Sequence, residues 1–242
     1  MSEHKPLYPW SRKYAEEHRE RGLWRESYKE NCDCARAIER AISDAYDYAS
    51  YHLNDATAPI IERYGFDRVN FVLASTVQEK NHDGRFAHDN KDWAGRFYLP
   101  ADEDRWQSCV DSHPVLTNAF LDQVREAWDA LGLHGASHCE SEKDGEIDYT
   151  GRVLVLKPSI LKDEYKSPDY QLFLAEGGFG CSANSRGRKI FGQFLKDGEK
   201  THYQRSDFIG AIKDKYLPEW AAEKLDELKE PEENESSGMT MQ

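Results

Sequence analysis

The sequence predicts an α+β protein: an N-terminal helical domain over residues 1–132, then a small antiparallel β-sheet or barrel-like domain over 147–229 that ends in a C-terminal helix. Two observations predict it. Up to residue 132 the apolar residues recur at spacings of three and four, and from 147 onward they fall in short runs bounded by turn residues. The polar, Gly-containing stretch 133–146 between them marks a linker, and the Glu- and Ser-rich residues 230–242 have the composition of a disordered tail. Charged residues make up 32% of the 242, but thirteen Tyr, ten Phe and six Trp supply enough apolar area for a core in each domain.

In chain order, Ser11 is placed to cap a short helix that Gly22 would end. Trp24, Tyr28, Asn31, Ala35, Ile38, Ile42, Ala45 and Ala49 then form one stripe on a helix of about seven turns. Thr57 and Pro59 begin the next helix and Gly65 stops it, after which Asp67 caps a segment whose Val69, Val72, Leu73, Thr76 and Val77 share a face. That segment leads to QEKNHDGRFAHDNKDW at 78–93. There Asp83 and Gly84 make a tight turn, and Asn90 or Asp89 caps a short helix carrying Trp93. The stretch 100–112 has no period and is expected to cross the surface. Ser112 and Pro114 start a helix whose Leu116, Phe120, Val124, Ala127, Trp128 and Leu131 lie on one face and which Gly132 ends.

In the second half, 152–157, 171–176, 189–195 and 200–210 are the strands, with Asp197 and Gly198 as a hairpin turn between the last two. Pro218 opens the final helix, on which Trp220, Leu225 and Leu228 are available to cover one face.

The net charge of −13 is unevenly spread. Residues 1–140 hold 25 acids and 17 bases (−8), 141–218 hold 12 and 13 (+1), and 219–242 hold 8 and 2 (−6). Such a surface disfavours sequence-independent nucleic-acid binding by the whole protein and favours a protein partner with a basic surface. No apolar run approaches the roughly 18 residues of a membrane span, and the N-terminus lacks a signal-peptide pattern, so a cytoplasmic protein with no membrane partner is expected. The five cysteines, Cys32, Cys34, Cys109, Cys139 and Cys181, are odd in number and scattered, which fits reduced thiols. Cys32 and Cys34 would point about 200° apart on a helix and cannot clasp one metal. His134, His138 and Cys139 lie close together in the linker and are the remaining candidate ligands; the preferred reading is structural, and neither metal nor cofactor is expected.

Two windows hold the candidate site residues. In the first, Asp83, Arg85, Phe86, Asn90 and Trp93 either staple helices together or recognise a ligand, since a guanidinium can grip a carboxylate or phosphate with a forked pair of hydrogen bonds. His82 and His88 flank the turn without a nucleophile or carboxylate pair that would make either a catalytic base. In the second, GGFGCSANSRGRK at 177–189, the glycine spacing fits neither a phosphate-binding loop nor a dinucleotide fingerprint. Cys181 and Ser182 have no activating histidine nearby in sequence, leaving His202 as a spatial partner. Arg186, Arg188 and Lys189 form the compact basic cluster of the chain, and with Phe179 they are candidates to touch nucleic acid or an acidic protein.

The segments RYGFDRVNFVLASTVQEKNHDGRFAHDNKDWA and HPVLTNAFLDQVREAW resemble an uncharacterised domain family carried on conjugative elements and related mobile DNA of gut bacteria. YTGRVLVLKPSILKDEYKSPDYQLFLAEGGFGCSANSRGRKIF, with YQRSDFIG and LPEWAAEKL, resembles the module that commonly accompanies it. Together they span most of residues 24–228. The resemblance implies a mobile-element setting, where transfer functions, regulators and inhibitors of restriction and CRISPR systems are encoded, and it carries no catalytic residues with it. The leading expectation is a non-enzymatic acidic binding protein, a counter-defence inhibitor that binds a nucleic-acid-processing protein. The alternatives are a nucleic-acid-binding accessory module using the 186–189 cluster, and an enzyme acting on a nucleotide or nucleic acid with Asp83, Arg85 and a histidine in its site.

Overall fold

A computed structural model of the chain describes residues 4–102, 105–141, 146–185 and 187–229. Arg186 and the expected tail at 230–242 lie outside the described residues. The chain is α+β and divides into two compact units, Met1–Ala130 and Leu131–Gln242.

The first unit is helical. Helix α1 (Arg12–Glu17) is capped by Ser11, whose hydroxyl accepts from the Tyr14 N–H at 3.1 Å. It ends sooner than the sequence suggests: Arg19 takes a left-handed φ of 62°, and α2 (Arg21–Ala45) starts at once, so Gly22 lies in the first turn of α2. One stripe of α2 is buried, including Asn31, Ala35, Ile38 and Ile42 as the spacing predicts. The helix stops at Ala45, short of Ala49. There the Asp47 carboxylate accepts from the Ala49 N–H at 2.8 Å and the Ser50 hydroxyl at 2.6 Å, a local turn that competes with a further helical turn. The chain folds back as a small hairpin of β1 (Tyr46–Asp47) and β2 (His52–Leu53), leaving Tyr48 and Tyr51 exposed.

Helix α3 (Ala58–Glu79) is the centre of the unit. It is broken where the sequence places the stop, because Gly65 has φ 75° and ψ 157°, a conformation outside the helix that a side chain opposes. Beyond Gly65 burial runs all round the helix, since Phe71, Ala74 and Ser75 are buried as well as the Val69, Val72, Leu73 face. This is the mark of a helix covered on several sides. Here α2 covers one side, and α4 (His88–Ala94) and α5 (Pro114–Asp129) pack against others. The stretch before α5 does more than cross the surface: Val110 is buried and its N–H donates to the Thr76 hydroxyl at 2.9 Å. The α5 cap is His113, whose Nδ1 accepts from the Val115 N–H, in place of Ser112. Among the described residues no helix is long and apolar enough to cross a membrane.

The glycines make opposite predictions. Gly65→Ala is expected to destabilise the first unit by about 1–3 kcal/mol, the usual cost of a side chain in a Gly-only conformation. Gly22→Ala, in open space inside α2, is expected to stabilise it by about 0.4–1 kcal/mol. Urea unfolding followed by Trp fluorescence reads both, because five of the six tryptophans lie before residue 131.

The second unit is a five-stranded antiparallel sheet with strand order β6-β5-β4-β3-β7, built from β3 (Val153–Leu156), β4 (Leu172–Gly177), β5 (Lys189–Phe194), β6 (Lys200–Gln204) and β7 (Phe208–Ala211). The first three match expectation, and the fourth expected strand, 200–210, is two. A tight turn at Arg205–Asp207, where the Asp207 carboxylate accepts from the Gln204 N–H at 2.8 Å, sends β7 to the opposite edge, beside β3. In a flat sheet those edges would stand roughly 19 Å apart, yet four residue steps reach at most about 14 Å. The sheet must therefore curl. Rings from both edges meet around Phe173, whose centroid lies 5.6 Å from Tyr203 on β6 and 5.5 Å from Phe208 on β7.

Both sheet faces are covered near β3, which explains its unbroken apolar run. Leu154 and Leu156 pack inside the curl with Phe173, Ile190 and Phe208. Val153 and Val155 pack on the other face with Leu172, Ile212 and Ala221 of α6 (Glu219–Lys229), where Trp220 and Leu225 contribute while Leu228 stays exposed. Residues 134–140 of the expected linker are held within this unit. The buried Gln171 side chain accepts from the His134 N–H at 2.6 Å and donates to the His134 carbonyl at 3.1 Å, and Cys139 bridges to Ile212.

Candidate binding surface

In the window 78–93 the acid and base groups hold one another. Arg85 donates through Nε to Asp83 Oδ1 at 2.9 Å and through Nη2 to Oδ2 at 2.7 Å, and its backbone N–H donates to Oδ1 at 2.9 Å. The fork is occupied by its own turn, so a carboxylate or phosphate ligand would have to displace Asp83. Asn90 is fully buried, four residues from the end of α4. It donates to Asn118 and Asp122 of α5, both at 2.8 Å, and accepts from Arg125 at 2.6 Å. Its position is within the helix, and the residue before the first turn is Ala87. Phe86 is buried, and Trp93 is half-buried with its ring 4.7 Å from Phe97. Asn90 thus staples α4 to α5, and of the other candidates Asp83, like Trp93, is half-buried and Arg85 is exposed. His82 and His88 are exposed, and His88 Nδ1 lies 3.0 Å from Asp92.

The side-chain hydrogen bond from Arg85, then that from its backbone N–H, holds the Asp83 carboxyl well below the usual carboxylate range. The sign follows from linkage. A depressed folded-state value stabilises the turn at all pH above the unfolded value near 3.8, and that contribution is lost as pH falls through the folded value. Titration of the Asp83 carboxyl carbon by NMR is expected to give a midpoint below the ordinary one, and Arg85→Ala is expected to return it upward.

The second unit carries a different arrangement. The loop after β4 runs against the start of β5 at distances only glycine permits. A Cβ on Gly180 would lie 2.5 Å from the Arg188 carbonyl, and one on Gly178, whose φ is 105°, would lie 2.7 Å from the Lys189 carbonyl. From below, the buried Arg205 donates through Nη1 to the carbonyls of Gly180, Cys181 and Ser182 at 2.9, 3.2 and 3.2 Å, and through Nη2 to Ile147 at 2.7 Å. Its guanidinium carbon sits 3.9 Å from the centroid of Tyr149. The loop is therefore fixed at its base and Phe179 stands out from it, 85% exposed.

Beside it lies the outer face of the β5–β6 hairpin. Phe191 pairs across the ladder with His202, their rings 5.4 Å apart, and Phe191 packs over Gly178. Lys189 Nζ is 2.9 Å from His202 Nε2, and Arg188 is exposed next to it. The loop backbone at Gly178 and Gly180 thus lies against residues 188 and 189, and Phe191 and His202 stand on the strands next to Lys189. That pair was not legible: a two-residue turn at Asp197 and Gly198 would set 191 opposite 204, whereas the loop spans 195–198, with the Phe194 N–H donating to the Glu199 carbonyl, and sets 191 opposite 202. Cys181 is buried, burial pushes its thiol up, and His202 is engaged with Phe191 and Lys189, so the two do not form a nucleophile pair.

His134 and His138 meet edge to face at 5.4 Å, and the His138 ring lies 4.6 Å from that of Tyr216 at a tilt of 54°. Burial holds the His134 pKa down and pushes the Cys139 thiol up to about 11. Among the described residues no group of three His, Cys, Asp or Glu is arranged to hold a metal ion.

The fold and its surfaces define a two-unit α+β protein in which a helical unit is joined to a curled sheet bearing an aromatic and basic face. The chain belongs to the family described as "Protein of unknown function (DUF3849)", which matches residues 7–129. That match ends one residue before the boundary of the helical unit at Ala130. Neither a curated protein nor a solved structure matches the chain.

Proposed function

We propose that this protein is a non-enzymatic binding protein of a mobile genetic element, a counter-defence inhibitor that acts in the cytoplasm on a nucleic-acid-processing assembly. The observation that carries the reading is Phe179: a large apolar side chain held in water on a loop pinned by Arg205, beside Phe191. A loop fixed before a partner arrives loses little entropy on binding, and aromatic anchors dominate binding energy. The excess of acids over residues 1–140 suits the basic surfaces of proteins that handle nucleic acid. The resemblance to mobile-element proteins supplies the setting.

The test is affinity capture from a bacterial host with the intact protein and with Phe179→Ala/Phe191→Ala, at low and high salt. The reading expects a nucleic-acid-processing protein that the parent retains at low salt and the double variant loses. Equal capture by both baits, or no capture by either, rejects it.

A further inference from the structure

We infer that the Phe179, Phe191 and His202 face binds a short single-stranded nucleic acid, two or three nucleotides of which lie across the β5–β6 hairpin. This rests on the reading that the face docks a nucleic-acid-processing assembly, and it names the nucleic acid of that assembly as the part the face touches. Three features of the face select this occupant over a peptide or a duplex.

The first is flat, exposed π surface at a spacing that bases can use. Phe191 and His202 stand side by side on adjacent strands with centroids 5.4 Å apart and ring planes 43° from one another, and the exposed Phe179 is carried on the loop whose Gly178 lies against the Phe191 ring. Unpaired bases stack on such rings whatever their sequence, whereas the bases of a duplex are already stacked on one another. The second is the sign and position of the charge. Lys189 reaches the His202 ring at 2.9 Å and Arg188 precedes it in the chain, so cations border the rings where a backbone phosphate would pass. Lys200, on the same strand as His202, is partly answered by Glu176 at 3.7 Å and adds less. The third is scale. With a net charge of −13 the chain opposes a long polyanion, but at physiological salt fields fade over about 8 Å, so a few phosphates feel the local cations rather than the distant acids. A short strand is accepted and a long duplex is not.

The experiment uses the full-length protein and fluorescein-labelled 10-mers of deoxythymidine and uridine, with a 20-base-pair duplex as comparison, read by fluorescence anisotropy from 20 to 200 mM salt. Binding of the single strands, weaker binding of the duplex, and a salt slope near −1.4, two phosphates at about −0.7 each, are expected. Phe179→Ala and Phe191→Ala are each expected to weaken single-strand binding about tenfold, and Lys189→Glu to weaken it and flatten the salt slope. All three side chains are exposed, so the fold is expected to persist, which far-UV circular dichroism checks. Two results overturn the inference: no binding of single strands at 20 mM salt, or binding that the three variants leave unchanged. If the oligonucleotides fail while Phe179→Ala/Phe191→Ala still loses the captured protein partner, the occupant is a protein and only this inference falls. If both fail, the face is not the docking surface at all.

Discussion

Arg205→Met is expected to destabilise the second unit by about 3–5 kcal/mol, because it removes a charged donor and leaves up to four carbonyls facing an apolar side chain. The methylene stem is kept, so the loss is of hydrogen bonds and of the guanidinium's contact with Tyr149 rather than of volume. Arg205→Lys is expected to recover less than half, since one ammonium cannot span carbonyls from residues 147 and 180–182. Cys181 offers a direct readout. It is 1% exposed beneath the clamp, and its labelling by a thiol reagent, followed by mass spectrometry, requires the loop to open. The substitution is expected to speed Cys181 labelling about a hundredfold or more while leaving Cys34 in the first unit unchanged. An unaltered Cys181 rate would show that the glycine contacts fix the loop without the arginine.

Arg68→Met is the counterpart in the first unit, with an expected loss of about 3–5 kcal/mol. Arg68 is 2% exposed at the join of α2, α3 and the N-terminal segment. It donates through Nη1 to the Ser27 carbonyl at 3.0 Å and to Asn31 Oδ1, and through Nη2 to the carbonyls of Lys5 and Pro6, both at 3.0 Å. Burial draws its pKa down from the usual value. Removing it frees the N-terminal segment, which Tyr8 otherwise extends by donating from its N–H to the Ser27 hydroxyl at 2.9 Å and from its own hydroxyl to Glu20 at 2.7 Å. Two signals are expected together: a lower urea midpoint by Trp fluorescence and new proteolytic cleavage before residue 12. Cleavage without the shift in midpoint would confine the role of Arg68 to the N-terminal segment.

How much of this was legible in the sequence depended on how far each residue's partner lay along the chain. Gly65 and Pro114 act on their own backbone, and the structure has them where the pattern puts them. The strand starts near 153, 172 and 189 were readable from short apolar runs between turn residues. The second half of 200–210 was not. Whether the chain after Gln204 continues or turns depends on Asp207 accepting from it and on Arg205 reaching Gly180 and Ile147, contacts that no local pattern announces. Asn90 misleads in the same way. A short polar residue before Trp93 looks like a helix cap, and its actual partners, Asn118, Asp122 and Arg125, lie some thirty residues on. At the candidate site the exposed residues Phe179, Arg188 and Lys189 could be named from the sequence. The clamp beneath them could not, because a buried arginine and a surface arginine are the same letter.

The strand order carries a consequence for synthesis. Leu154 pairs with Ala211, 57 residues later, so the inner strand β3 waits for the last strand of the sheet before both its edges are filled. Contacts this distant in sequence are slow to form. On the ribosome the run Val153–Leu156 emerges well before β7, and during that interval an apolar strand has one partner and an open side. The helical unit, complete by Ala130, meets no such delay and is free to fold while the sheet is still being made.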